Sequence, residues 1–100
     1  MARPVAIIGV GQTRHGRRVE MCYPDLVREA VCALFAETGI EPADIDGVVS
    51  GTMPSMMEGV AMTHLYMADA LCSAGKPILK TETCGSTGMS IAQTAYYWVS

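Results

Sequence analysis

The protein has 100 residues, of which 50% are apolar and 17% charged, and its formal net charge is −3 at pH 7. This length allows one domain at most. The apolar fraction is so high for a short chain that we expect some of the apolar side chains to lie against another surface. The charge balance offers no basic footprint for nucleic acid, and the apolar run at residues 5–10 is too short for a signal sequence or a membrane span.

The same apolar, β-branched run predicts a first strand that is buried on both faces. Gly9, Gly11 and Gly16 punctuate this region, but the third glycine comes two residues too late for a dinucleotide-binding fingerprint. Residues 12–23 are charged and loop-like, so no helix N-terminus is available there for a pyrophosphate. A Rossmann oxidoreductase that binds NAD is therefore the last of the alternatives, and we expect the glycines to form a tight turn.

Positive charge clusters locally at Arg14, Arg17 and Arg18, beside His15. The cluster falls in the predicted loop after the first strand. We interpret it as solvated loop charge rather than as a phosphate-binding site.

Helical spacing follows at residues 23–39. Pro24 and Asp25 suit a first helical turn, and Gly39 is placed to end the helix. The apolar residues repeat along one face, at Leu26, Val27, Ala30, Val31, Leu34 and Phe35. The pattern predicts an amphipathic helix, which leads through a turn at Pro42 into a second strand at residues 47–52.

Methionine is frequent after this strand, at Met53, Met56, Met57 and Met62. We interpret these side chains as core gap-fillers, the alternative being an adaptable surface at a subunit contact or an acyl pocket. Residues 60–74 then return to helical spacing, with apolar positions at Met62, Leu65, Ala68 and Cys72.

A third strand is predicted at residues 77–83 and a third helix at residues 85–100. The order β-α-β-α-β-α predicts an α/β fold with parallel strands and helices packed on the sheet. The cysteines, at positions 22, 32, 72 and 84, have no spacing typical of a disulfide framework or a zinc site. We therefore expect free thiols, no bound metal and a cytoplasmic protein.

Cys84 lies where the third strand meets the third helix, in the sequence TETCGSTGMS. Backbone N–H groups at a helix N-terminus have no partner within the helix, and their positive potential favours a thiolate. The same groups can stabilise the oxyanion of a tetrahedral intermediate, and Gly85, Ser86 and Gly88 are small enough for an acyl thioester to approach. The alternative is that Cys84 is a small buried residue in a tight turn.

The segments VAIIGVGQT, SGTM and TETCGSTG, in this order, resemble the N-terminal part of the thiolase superfamily. They are most similar to the branch of sterol-carrier-protein thiolases and thiolase-like lipid-transfer proteins. The resemblance spans nearly all of residues 1–100 and implies an N-terminal segment of a layered α/β/α/β/α thiolase fold that ends inside its third helix. It also implies that an acyl-CoA acylates Cys84, whose own N–H forms part of an oxyanion hole.

In this family a second cysteine and a histidine of the C-terminal half act as acid and base, so we expect residues 1–100 alone to be inactive. His15 and His64 lie in no such motif, and we expect neither to be catalytic. The register also departs from the family, in which the cysteine is followed by two small residues and a glycine. Here three residues separate Cys84 from Gly88. Aligning Gly88 with the family glycine moves the nucleophile position to Gly85, as in thiolase-like retro-aldolases that lack the nucleophile.

The leading hypothesis is thiolytic acyl transfer on a β-ketoacyl-CoA through a Cys84 acyl-enzyme. Coenzyme A is then a substrate or product, and no permanently bound cofactor is expected. The alternatives are a retro-aldolase that acts on CoA-linked side chains and a non-catalytic thiolase-like subunit. The resemblance further implies a homodimer or higher oligomer and, in this branch, a partner subunit with an OB-fold and a zinc ribbon.

Overall fold

The computed structural model describes residues 3–52 and 59–100 of a mixed α/β chain. In chain order these residues form helix α1 (Tyr23–Thr38), strand β1 (Val48–Ser50), helix α2 (Thr63–Tyr66), strand β2 (Ile78–Lys80) and helix α3 (Thr87–Val99). Short 3-10 turns at Pro42–Asp44 and Cys84–Ser86 precede β1 and α3. The α/β class is therefore confirmed, whereas Met53, Met56 and Met57 of the methionine-rich segment lie outside the described residues.

The two strands form a parallel pair, in which Val48 is the register partner of Ile78 and Ser50 that of Lys80. The pairing continues beyond the third register pair, because the Thr81 N–H donates to the Ser50 carbonyl at 2.9 Å. The predicted second and third strands are thus confirmed, although both are shorter than the sequence pattern suggests. Their parallel arrangement places both carboxyl ends at one edge of the sheet.

The predicted first strand, at residues 5–10, is wrong for the described part of the chain. The segment belongs to no strand, and the side chains of Ile7 and Ile8 are 89% and 73% exposed. A β-branched run becomes a strand only where a neighbour supplies ladder hydrogen bonds, and neither β1 nor β2 pairs with this segment. Its start is instead tied to the end of α3, since the Arg3 N–H donates to the Ser100 carbonyl at 3.3 Å.

Close packing against α1, rather than a tight turn, accounts for the glycines at positions 9 and 11. Neither glycine has a positive φ. A side chain at Gly9 would overlap Thr38, and one at Gly11 would overlap the Ala30 carbonyl and lie 2.9 Å from the Leu34 backbone nitrogen. The missing side chains therefore let the N-terminal segment lie directly on the helix, as glycine does where two backbones approach closely.

Helix α1 agrees with the prediction at both ends. The Asp25 carboxylate accepts hydrogen bonds from the Cys22 thiol at 3.0 Å and from the Cys22 N–H at 3.2 Å, and both bonds hold the pKa of Asp25 below its usual value. Gly39 adopts a left-handed conformation with φ of 71°, and its N–H donates to the Phe35 carbonyl at 2.8 Å. The six predicted apolar positions are all half-buried, which confirms the face that the helix presents to the protein.

The predicted helix at residues 60–74 is mostly a series of turns, and its buried face is a different one. Only Thr63–Tyr66 is α-helical. Met62 and Leu65 are more than half exposed, whereas Thr63, Met67 and Ala70 are buried. The apolar spacing predicts that the face with Met62 is buried. The face with Thr63 is buried instead, because the Thr63 hydroxyl lies 3.1 Å from that of Thr52, which follows β1.

The core of the described residues is small. Its buried apolar side chains are Met67 and Ala70, and the buried polar residues beside them are Ser50, Thr63, Ser73 and Thr87. Large apolar side chains remain open to solvent along the N-terminal segment and α3, where Tyr97 is 65% exposed. No helix within residues 3–52 or 59–100 combines the length and the apolar character that a bilayer crossing requires.

Arg18 belongs to an ion pair that ties the loop to α1, so it is not part of a solvated cluster as predicted. Its guanidinium donates to both Glu29 carboxylate oxygens, at 2.6 and 2.9 Å, and the Arg14 N–H donates to Glu29 at 3.1 Å. The Arg18 side chain is only 14% exposed. The Arg18 hydrogen bonds, followed by that of Arg14, lower the pKa of Glu29 to about 2. The predicted solvent exposure does hold for Arg17.

This ion pair predicts an acid-dependent loss of stability. Because the folded-state pKa of Glu29 is depressed below the unfolded value of about 4.3, the pair stabilises the fold above pH 4.3 and loses its effect as the pH falls towards 2. We expect Glu29→Gln to lower the melting temperature at pH 7 and to flatten its decline between pH 5 and pH 2. Glu37→Gln, which removes an exposed carboxylate from the same helix, should keep the wild-type slope. Equal slopes in all three proteins would contradict the assignment.

Candidate functional site

The candidate site lies at the carboxyl edge of the parallel strands. Strand β2 ends at Lys80, and the chain then passes through Thr83 into the 3-10 turn Cys84–Ser86, which leads directly into α3. This edge is where ligands commonly bind in parallel α/β sheets. The predicted junction between strand, cysteine and helix is therefore present, with the helix beginning at Thr87 rather than at residue 85.

Gly51, the residue after β1, brings α3 against this edge. A side chain at position 51 would lie 2.6 Å from the Thr81 carbonyl, 2.6 Å from the Thr87 methyl group and 2.8 Å from the Ile91 side chain. Real Cβ contacts essentially never approach so closely, so glycine is required by the packing. The glycine of the SGTM segment thus fixes how near α3, and the turn before it, can come to the sheet.

Cys84 is an exposed free thiol in an unusual backbone conformation. Its φ is 52°, in the left-handed region that residues with a side chain rarely adopt. Such a conformation costs about 1–3 kcal/mol and persists only where surrounding contacts enforce it. Within the described residues Cys84 is therefore exposed rather than buried in a tight turn, and its conformation must be held by neighbouring groups.

Hydroxyl groups on both sides of Cys84 hold the turn. The buried Thr87 hydroxyl donates to the Cys84 carbonyl at 2.8 Å and accepts a hydrogen bond from the Thr83 N–H at 3.0 Å. The Ser86 hydroxyl donates to the Thr83 carbonyl at 2.9 Å, and the hydroxyls of Thr83 and Ser90 lie 2.6 Å apart. Sequence reasoning missed Thr83, Thr87 and Ser90, although dense Ser and Thr around a turn is a signal for such bonds.

The small residues after Cys84 have different surroundings. A side chain at Gly85 or Gly88 would meet no other atom within 4 Å, so space is open beside both. Ser86 takes part in the hydrogen bonds of the turn, because its N–H donates to the Thr83 carbonyl at 3.2 Å. The Thr87 N–H donates to the Cys84 carbonyl. Among the backbone hydrogen bonds of turns, loops and caps within residues 3–52 and 59–100, none has the N–H of Cys84 or Gly85 as its donor.

Two apolar clefts flank α3, and Cys84 lines neither. One, of about 380 Å³, is lined by Asp46, Gly47, Val49, Pro77, Ala95, Trp98 and Val99. The other, of about 460 Å³, is lined by Val5, Ala6, Ile7, Ala92, Ala95, Tyr96 and Val99. Both lie towards the carboxyl end of α3, whereas the Cys84 turn precedes its first residue.

The remaining candidate side chains are not gathered at the turn. Cys22, Cys32 and Cys72 are free thiols, the first two exposed and the third half-buried. His15 is exposed with the Gln12 amide 3.4 Å from its ring, and the Nδ1 of His64 is buried with no hydrogen-bond partner in the described part of the chain. Within that part, no three His, Cys, Asp or Glu side chains are grouped in a way that could hold a metal ion.

Comparison with known proteins gives a similarity to a curated protein over most of the chain. No protein-family model matches the sequence. The chain is 29% identical over 92 residues to a protein named acetyl-CoA acetyltransferase from Methanothermobacter thermautotrophicus. The match covers 89% of this chain, a share that must include Cys84, and 24% of the relative, so the chain spans about a quarter of that relative's length. The similarity supports a distant relationship to the thiolase superfamily.

The packing at Gly51 predicts a large effect of a single methyl group. Gly51→Ala should reduce the free energy of unfolding by roughly 1–3 kcal/mol, because the added Cβ must displace Thr87, Ile91 or the Thr81 carbonyl. Gly88→Ala, in which the methyl group meets open space on α3, should leave stability unchanged or raise it by up to about 1 kcal/mol. Urea unfolding measures both, and equal stability of the two variants would show that α3 does not approach residue 51 as described.

Proposed function

We propose that this chain is the N-terminal part of a thiolase-like acyl-CoA acyltransferase in which Cys84 is the acyl acceptor. The observation that carries the proposal is an exposed thiol held in a strained turn at the carboxyl edge of parallel strands, directly before a helix. The similarity to a protein named acetyl-CoA acetyltransferase covers this turn and supports the same chemistry. The proposed substrates are a β-ketoacyl-CoA and free coenzyme A.

The reaction begins when the Cys84 thiolate attacks the keto carbon of the β-ketoacyl group. A carbon-sulfur bond forms, and the carbonyl oxygen becomes an oxyanion, for which we propose the N–H groups of Cys84 and Gly85 as hydrogen-bond donors. Collapse of this intermediate breaks the bond between the α- and β-carbons. The electron pair leaves on the α-carbon of the shorter acyl-CoA, which then takes up a proton.

The second half of the reaction regenerates the thiolate. Coenzyme A loses its thiol proton and attacks the acyl group on Cys84, which leaves as a thiolate when the new thioester forms. In the family that the sequence resembles, a second cysteine and a histidine of the C-terminal half transfer these protons. We propose the same division of labour here, so that residues 1–100 supply the nucleophile and the remainder of the enzyme supplies acid and base.

The position of the extra residue supports Cys84, rather than Gly85, as the nucleophile. The additional residue lies in the 3-10 turn Cys84–Ser86, before the first turn of α3, and Cys84 is exposed.

The homodimer and the partner subunit with an OB-fold and a zinc ribbon stay predictions from the resemblance. Exposed apolar side chains of α3, such as Trp98 at 47% exposure, agree with a protein that packs against further surface.

The proposal predicts that turnover depends on one of the four thiols. In the full-length protein, Cys84→Ala should lower thiolytic cleavage of acetoacetyl-CoA by several orders of magnitude, because no acyl-enzyme can form. Cys32→Ala removes another exposed cysteine, from α1, and should keep wild-type turnover. A Cys84→Ala variant that still cleaves CoA-linked substrates would favour the retro-aldolase of the same superfamily.

A further inference from the structure

We propose that Thr87 is a positioning residue that orients the Cys84 thiol, an inference that rests on the proposed role of Cys84 as acyl acceptor. The Thr87 hydroxyl touches neither the thiol nor any substrate group. It acts through the backbone, as donor to the Cys84 carbonyl at 2.8 Å and as acceptor from the Thr83 N–H at 3.0 Å. One hydroxyl oxygen therefore bonds to the backbone of both Thr83 and Cys84.

A hydroxyl group is suited to this position because it donates and accepts at the same time. Thr87 is 5% exposed, so water has little access to replace either bond. Without the hydroxyl, the Thr83 N–H would lose its acceptor and the Cys84 carbonyl would keep only the Thr87 N–H as a donor, and the loss of the Thr83 bond in a part-buried site is costly. The turn would then relax towards backbone angles that bring other partners, and the left-handed φ of 52° at Cys84 would no longer be enforced.

The packing of Thr87 links this effect to the fold. Its methyl group lies against Gly51 at the end of β1, so the hydroxyl is held at a fixed depth relative to the sheet. Thr83 receives a second constraint from the Ser90 hydroxyl at 2.6 Å. The direction of the Cys84 side chain therefore depends on Thr87, the side chain that bonds to the backbone of both Thr83 and Cys84.

The test compares Thr87→Val, which keeps the shape and removes the hydroxyl, with Thr87→Ser, which keeps the hydroxyl. Thr94→Val is the matched control, because the Thr94 hydroxyl donates to the Ser90 carbonyl at 2.7 Å within α3 and does not contact the turn. Each variant of the full-length protein is exposed to acetyl-CoA and, separately, to iodoacetamide. Site-resolved mass spectrometry then gives the modification rates of Cys84 and of Cys32 as an internal reference.

We expect Thr87→Val to slow acetylation of Cys84 at least about tenfold relative to Cys32 alkylation, since two part-buried hydrogen bonds to the turn are lost. Thr87→Ser should restore most of the rate, and Thr94→Val should keep it even if its melting temperature falls. A purely structural role would lower stability in both valine variants without this selective loss. Should Thr87→Val not fold, Thr87→Ala replaces it, because it removes the hydroxyl without a bulky side chain.

The outcomes separate this inference from the proposed function. If wild-type Cys84 is acetylated and Thr87→Val is acetylated at the same rate, Thr87 does not position the thiol and the inference is overturned. If wild-type Cys84 is not acetylated, the proposed function fails. The iodoacetamide rates then still decide on Thr87, because a severalfold loss at Cys84 with Cys32 unchanged supports its positioning role, and equal rates refute it.

Discussion

The close approach of α3 to the end of β1 is the contact on which the position of Cys84 depends. Glycine at position 51 leaves room for Thr87 and Ile91 beside the Thr81 carbonyl. Because Thr87 also bonds to the backbone of Thr83 and Cys84, the same contact sets the depth of α3 and closes the turn before it. The sheet, the helix and the thiol are thus connected through one glycine and one threonine.

The turn around Cys84 combines exposure of the reactive atom with burial of the groups that hold it. The thiol is open to solvent, whereas Thr87 is buried and its hydroxyl makes two backbone hydrogen bonds. A strained conformation needs such support, and strained residues are concentrated at functional sites. This arrangement suits the proposed role of Cys84 as a nucleophile that meets an acyl carbon in a fixed direction.

Local sequence patterns predicted the elements that depend on local interactions. Helix α1 follows from its apolar spacing, from Asp25 in its first turn and from Gly39 at its end, and these signals act within a few residues of one another. The parallel strands and the strand-to-helix junction at Cys84 were also predicted. For α1 and for the junction, the sequence signal and the structural cause lie in the same short segment, whereas β1 and β2 pair residues that are distant in the chain, such as Val48 and Ile78.

The sequence predictions were wrong where contacts between residues distant in the chain determine the structure. Residues 5–10 have strand composition but no ladder partner in the described structure, and Gly9 serves packing on α1 instead of a turn. The buried face of α2 follows a hydroxyl contact with Thr52, and Arg18 pairs with Glu29 eleven residues away. Periodicity carries no information about such contacts. The hydroxyl framework around Cys84 was missed for a similar reason, since hydrogen-bonding capacity does not specify partners.

The central claim is that the thiol of Cys84 accepts the acyl group of an acyl-CoA thioester. Incubation of the full-length protein with acetyl-CoA, followed by digestion and mass spectrometry of all four cysteine-containing sites, tests it most directly. The account predicts a single acetyl group on Cys84, removed again when free coenzyme A is added. Turnover of a β-ketoacyl-CoA without any acetylated Cys84, or acetylation confined to Cys22 or Cys32, would contradict it.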